Sequence, residues 1–282
     1  MRLLTRLETE RRLDPVSDKL QEAVSSVVRP RGLRDVLHGT WLGHPLHPVL
    51  VEVPVGAFVC AAVLDLLPGR RKSATTLIAL GVATAGPAAV AGWTDWSELT
   101  KDRRRVGLVH AAANAVALGL YTGSLLARLR GHGAKGKVLG FAGLSVAGLG
   151  AYLGGHLAYA QSAGANQAAP EIARLPEEWT VAGSLSSLPD GRTAVRMAGD
   201  VPVLLYRDGD RVSALVERCG HETGPLGEGE VVGVGADACV VCPWHGSTFR
   251  LTDGAVVHGP AASAQPLIPC RVRDGKVELR QP

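Results

Sequence analysis

The sequence has no stretch in which basic and aromatic residues interleave and no finger-type spacing of cysteine and histidine, so a nucleic-acid partner is not expected. Its five cysteines are an odd number, and two stand in Cys-x-His and Cys-x-x-His. That sets aside the disulfide framework of a small secreted domain and favours reduced thiols and metal-ligand pairs. The first 45 residues hold Glu8, Glu10, Asp14 and Asp18 and no uninterrupted apolar core, so neither a cleavable signal peptide nor a twin-arginine signal is expected there. What is present is unevenly spread over the 282 residues: Ala, Gly, Val and Leu dominate 46–160, whereas the last hundred residues mix charge, glycine and β-branched side chains. The formal charge of +4 comes largely from Arg and Lys beside the apolar runs, as expected for contact with membrane phosphates.

Four apolar runs, near 46–67, 74–93, 106–127 and 138–160, each approach the ~20 residues of a spanning helix. Short basic connections such as GRRKS make neighbouring helices antiparallel, and small residues such as Gly81, Ala85, Gly119 and Gly148 let them approach closely. The expectation is an all-α four-helix transmembrane bundle over 46–160, preceded by an amphipathic interfacial segment over 1–45. In that segment Val16, Leu20, Val24 and Val27 recur at helical spacing. Asp65 reads as interfacial and Cys60 as packing.

Ionisable groups inside such runs are costly unless paired or functional. By helix parity His44, His47, Glu52, Asp95, His110, Asn114 and His156 fall at one end of the bundle. Three readings stand for them: a haem b or metal site, a quinone pocket, or a hydrogen-bonded structural cluster at helix ends. The run HGTWLGHPLHP from His38, with GWTDW, GLVHAAANAVALGLY and GAYLGGHLAYA, resembles a bacterial four-helix membrane domain of unknown function over 32–165. The resemblance implies a fold and a membrane location.

Residues 161–178, small and polar with two prolines, read as a linker. Beyond them 179–282 reads as an all-β domain, with VPVLLYR and RVSALVE meeting around Asp208-Gly209 and a second turn at Asp274-Gly275. Cys219-Gly-His221 and Cys242-Pro-Trp-His245 lie twenty residues apart within it. Two thiolates and two imidazoles on paired turns suit either a zinc ion or a 2Fe-2S cluster.

The wider string CGHETGPL, CPWHGSTFRLTDG and GPA before PL resembles the Rieske ferredoxin family over 178–280. The resemblance implies a 2Fe-2S cluster, with Cys219 and Cys242 on the buried iron and His221 and His245 on the outer one. Where Rieske proteins of cytochrome bc complexes carry two further cysteines in a disulfide beside the cluster, this sequence has Gly224 and Trp244. Of two hydroxyl donors after the second histidine, Ser247 is kept and Phe249 replaces a tyrosine. Fewer donors to the sulfurs imply a potential below the high-potential class. Cys239 and Cys270 read as buried thiols.

Together these imply a multi-pass protein of the inner membrane carrying single electrons between a redox partner, a reductase or an oxygenase, and an acceptor. The alternatives are a redox sensor or scaffold, or the ferredoxin subunit of a multi-subunit oxygenase or quinol-oxidising system. A complete ring-hydroxylating oxygenase would need a large further domain with its own iron site. Sidedness is nearly balanced. Arg29, Arg31, Arg34, Lys101, Arg103, Arg104, Arg105 and Arg174 flank the spans on the side of the termini, against Arg70, Arg71, Lys72, Arg128, Arg130, Lys135 and Lys137 on the other. Additional basic residues near the N-terminus tilt the expectation toward a cytoplasmic β domain.

Overall fold

A computed structural model describes residues 2–282. The chain divides into two compact units, residues 1–29 with 45–163, and 30–44 with 164–282. The segment 1–45, read as one piece from sequence, is therefore shared between them, and most of the expected linker belongs to the second unit.

In the first unit α1 (Arg2–Thr9) and α2 (Asp14–Val27) accompany four long helices: α4 (Leu46–Leu66), α5 (Arg71–Ser97), α6 (Lys101–Leu129) and α7 (Gly133–Gly155), the last continued by a π-helical turn, His156–Ala160. Among the described residues these four are long and apolar enough to cross a membrane, yet only 22–28% of their most apolar windows is buried in the protein. Val49, Val53, Val59, Val63, Val116 and Leu149 face outward. This much uncovered aliphatic surface on four such helices suits a lipid solvent. Cys60, expected to pack, is also on the outer surface. The interior is narrow, with Phe58 stacked on Tyr121 at 3.6 Å between ring centroids and Ile78, Ala61 and Ala74 beside them.

The helices outrun the apolar runs because their charged ends are paired. Arg104 reaches Asp18 at 2.8 Å and also Gln21, and Arg105 grips both carboxylate oxygens of Asp14 at 2.7 and 2.8 Å. The helix α2 thus docks through its polar face, while Val16 and Val27 of the expected apolar face stay exposed. Asp65 is likewise not interfacial. It forms a two-pronged ion pair with Arg128, with side chains 7% and 1% exposed, so Arg128 is no flanking charge for the membrane surface.

The second unit holds α3 (Arg31–His38) and ten strands: β1 (Thr180–Ser184), β2 (Thr193–Ala198), β3 (Val201–Asp208), β4 (Arg211–Val216), β5 (Glu230–Val232), β6 (Cys239–Val241), β7 (Thr248–Arg250), β8 (Val256–His258), β9 (Cys270–Arg273) and β10 (Lys276–Leu279). They form antiparallel sheets in the orders β1-β10-β9, β2-β3-β4 and β5-β6-β7-β8. Successive residues of a strand face opposite ways. In β3, Val203 and Leu205 therefore enter one core with Val216, Ile268 and Val277, whereas Leu204 and Tyr206 enter another with Leu226, Val240 and Phe249. Burial on both faces explains why this strand reads as an unbroken apolar run. The Asp274-Gly275 turn is as expected, both residues at positive φ; the β3–β4 loop is Gly209-Asp210, one residue beyond the expected pair.

Candidate metal centre

Cys219 and His221 follow β4, and Cys242 and His245 sit in the tight turn between β6 and β7. The two loops close by the same pair of hydrogen bonds. Cys219 N–H donates to Gly224 O at 2.8 Å and Thr223 N–H to Cys219 O at 2.9 Å; Cys242 N–H donates to Ser247 O at 2.8 Å and Gly246 N–H to Cys242 O at 3.0 Å. Four residues beyond each cysteine the backbone turns left-handed, at Thr223 (φ 60°) and Gly246 (φ 75°). A threonine in that region is strained and persists only where its surroundings enforce it.

This repeated geometry brings the ligands together in like pairs. The thiols of Cys219 and Cys242, 1% and 3% exposed, hydrogen-bond to one another inside the second core. That bond, with burial, pushes the Cys219 thiol up; the same bond holds Cys242 down at about 6, against the opposing effect of its burial. Backbone amides of His221 and Glu222 favour a thiolate at Cys219, and those of Trp244 and His245 do so at Cys242. The rings of His221 and His245 lie 5.1 Å apart at 87°, half-buried, so the pairs run from buried sulfur to accessible imidazole. Among the described residues no three His, Cys, Asp or Glu groups converge on one point that could hold a single ion. A buried thiol pair beside an accessible imidazole pair is a donor set that could serve two irons, one pair to each.

The shell around these pairs fits the same group. A Cβ at Gly224 would lie 2.8 Å from Cys242 Sγ and 3.1 Å from the Trp244 ring, so only glycine lets that ring close over the sulfur. Gly224 and Trp244 are thus in contact at the positions where the disulfide was expected to be missing. Ser247 is fully buried and its Oγ accepts from Ala261 N–H at 3.0 Å, leaving its own hydrogen to donate. Phe249 is buried and contributes no hydroxyl.

Four residues outside the sequence reading support these loops. Gln265, 1% exposed, accepts from Gly220 N–H at 2.9 Å and donates to Val216 O and Arg218 O at 2.7 and 2.6 Å. From the expected linker, Gln167 donates through its side chain to His221 O at 2.9 Å and through its backbone to Gly220 O at 2.8 Å, while Asn166 donates to Ala264 O at 2.8 Å. Asp35 of α3 accepts from Gly259 N–H at 2.9 Å and pairs with His258 Nδ1 at 2.8 Å, two residues before the Ala261 that holds Ser247. A polar residue amid small ones, as at 166–167, was the only signal.

Of the second set of expected site residues, His47, His110 and Asn114 come together, and the others lie apart from them. In the first unit, His47 and His110 have ring centroids 6.4 Å apart, and each binds a carbonyl of a neighbouring helix through Nδ1, Ala88 O and Gly150 O, both at 2.8 Å. Asn114 lies against His110. His156 pairs with Glu8 at 2.8 Å, Asp95 is half-buried, and Glu52 points outward. His44 is exposed and belongs to the other unit. Of the three readings, these contacts match interhelical hydrogen bonding.

Comparison with known proteins matches residues 178–271 to the Rieske [2Fe-2S] domain and residues 43–167 to a predicted membrane protein family, DUF2231. The anthranilate 1,2-dioxygenase ferredoxin subunit of Burkholderia cepacia is 32% identical over 102 residues, covering 36% of this chain and 91% of that relative. The 3-phenylpropionate/cinnamic acid dioxygenase ferredoxin subunit of Escherichia coli (strain K12) is 28% identical over 98 residues, 35% of this chain and 89% of that relative. A solved structure, the ferredoxin of carbazole 1,9a-dioxygenase from Nocardioides aromaticivorans IC177, aligns at 22% identity and a TM-score of 0.34 over 37% of this chain and 98% of its own.

Proposed function

Because this chain belongs to the Rieske [2Fe-2S] domain family, we propose that Cys219 and Cys242 hold one iron, that His221 and His245 hold the other, and that the chain passes single electrons between a redox partner protein and an acceptor at the membrane. The observation that carries the assignment is the sorting of ligands into a buried thiol pair and a half-buried imidazole pair. When bound, the cluster supplies reversible one-electron chemistry at a potential raised by its two neutral ligands.

The residues divide the remaining work. Amides of both loops stabilise the two thiolates, and the second core excludes water from them. His221 and His245 offer the accessible edge for electron exchange. Pro243 and Trp244, both exposed beside His245, offer a surface on which a partner can seat. A reductase or an oxygenase is the partner class, following what the relatives are named for. The four apolar helices tether the β unit to the inner membrane. Cysteines without disulfides favour its cytoplasmic side.

Electron paramagnetic resonance of the purified, detergent-solubilised chain after reduction tests this. A Rieske signal is expected, lost in His221→Ala and kept in His47→Ala; stoichiometric zinc in place of iron would overturn the assignment. With Trp244 and Phe249 where the disulfide and tyrosine are missing, the midpoint is expected in the lower half of the roughly −150 to +300 mV Rieske range. A value near the top would refute that tuning.

A further inference from the structure

At the end of the helical bundle away from Ser97 and Lys101, the last turn of α4, the start of α5, the end of α6 and the start of α7 line an open cleft of about 680 Å³. That lies within the range of about 300–1,000 Å³ typical of sites that hold a small molecule. Its wall includes Asp65, Arg71, Arg128, His132, Lys135 and Lys137. The one carboxylate is consumed by its buried pairing with Arg128, so the pair is neutral. Arg71, Lys135 and Lys137 leave the wall with three uncompensated positive charges.

Backbone electrostatics add to this. Both α5 and α7 begin at the rim, neither has a side-chain cap, and neither carries an acidic residue in its first turn. The positive ends of two long helices therefore face the same space as the cations. Arg71 is pressed onto the start of α7: a Cβ at Gly133 would lie 2.5 Å from its guanidinium carbon, so glycine is what admits it. A guanidinium beside a helix N-terminus is repelled unless an anion lies between or near them. An anion between the exposed guanidinium and the helix end would be held by both.

We infer that this cleft binds a phosphate-type anion, borne by an acidic phospholipid headgroup or by soluble phosphate. Its place at the ends of four apolar helices is where lipid phosphates lie, and basic pockets between spanning helices suit them. The inference concerns the helical unit alone and stands whether or not the β unit carries iron.

The test is thermal unfolding of the full chain in neutral detergent, titrated separately with phosphatidylglycerol, phosphatidylcholine and inorganic phosphate. Phosphatidylglycerol is expected to raise the transition temperature and phosphatidylcholine is not. A rise with inorganic phosphate and no further gain from phosphatidylglycerol would support the same site with a soluble occupant. The double variant Lys135→Ala/Lys137→Ala should weaken the response roughly thirtyfold in affinity, and Lys135→Arg/Lys137→Arg should restore it. Arg71→Gln should stabilise the anion-free protein while reducing its gain from anion, a reversal that a merely structural arginine would not show. Equal stabilisation by phosphatidylcholine, or an undiminished response in the double alanine variant, would overturn the inference.

Discussion

Gln265 shows how much of a metal centre rests on a residue that ligates nothing. Its amide answers three backbone groups, Gly220 N–H and the carbonyls of Val216 and Arg218, on the segment that carries Cys219 and His221. Buried groups stripped of their partner cost about 1–3 kcal/mol each, less whatever relaxation or water recovers. Gln265→Ala is therefore expected to destabilise the β unit by about 2–3 kcal/mol and to speed iron loss, read by thermal melting and by decay of the visible spectrum. A variant as stable as the parent would show that the clamp is redundant. The four proposed ligands were legible in the sequence, because the chemistry calls for thiols and imidazoles and the turns present them in close pairs. The glutamine was not, since an amide 45 residues from Gly220 has no local signature of what it will hold.

At the scale of elements, ion pairs decide how the helices of the first unit meet. Asp65 and Arg128 join α4 to α6 with almost no exposure, and removing one partner of such a pair costs about 3–5 kcal/mol because the other charge stays buried. Asp65→Asn should lower the transition temperature sharply, whereas Asp65→Leu/Arg128→Met should recover most of it. Equal losses in both would place the effect in packing. The docking of α2 is exposed to pH instead. Hydrogen bonding to Arg105 holds the Asp14 carboxyl below its ordinary value of 3.8. Its contribution is thus present above pH 4 and is lost as the pH falls through the lowered value. Hydrogen exchange in α2 should be unchanged from pH 7 to 5 and rise below about pH 4; a rise already at pH 6 would exclude Asp14 as the cause. The spans were legible as apolar runs. Their charged extensions were not, because KDRRR reads as a solvated flank until Asp14 and Asp18 are brought against it.

For the whole molecule, the outward-facing aliphatic surface of α4 to α7 is an assertion about solvent. Cys60 is exposed on the chain and lies well inside α4, so in a bilayer it is covered by lipid although no protein covers it. A membrane-impermeant maleimide should leave Cys60 unmodified in intact vesicles and label it after detergent solubilisation, with the site read by peptide mass spectrometry. Labelling in sealed vesicles on either side would count against a spanning α4.

The order of the two architectures and the four apolar helices were determined by sequence alone, which also supplies the proposed cluster ligands, since side-chain chemistry and hydrophobic periodicity act locally and need no partner to be read. The tertiary structure decided everything that depends on groups distant along the chain. It divided 1–45 between two units and turned the apparent linker at 166–167 into a brace for the His221 loop. It also neutralised Arg128 with Asp65 and gave His156 to Glu8 while keeping His47 beside His110. Each of these is a pairing across tens of residues or more, and the free energy of such a pair is set by the burial and geometry that folding creates.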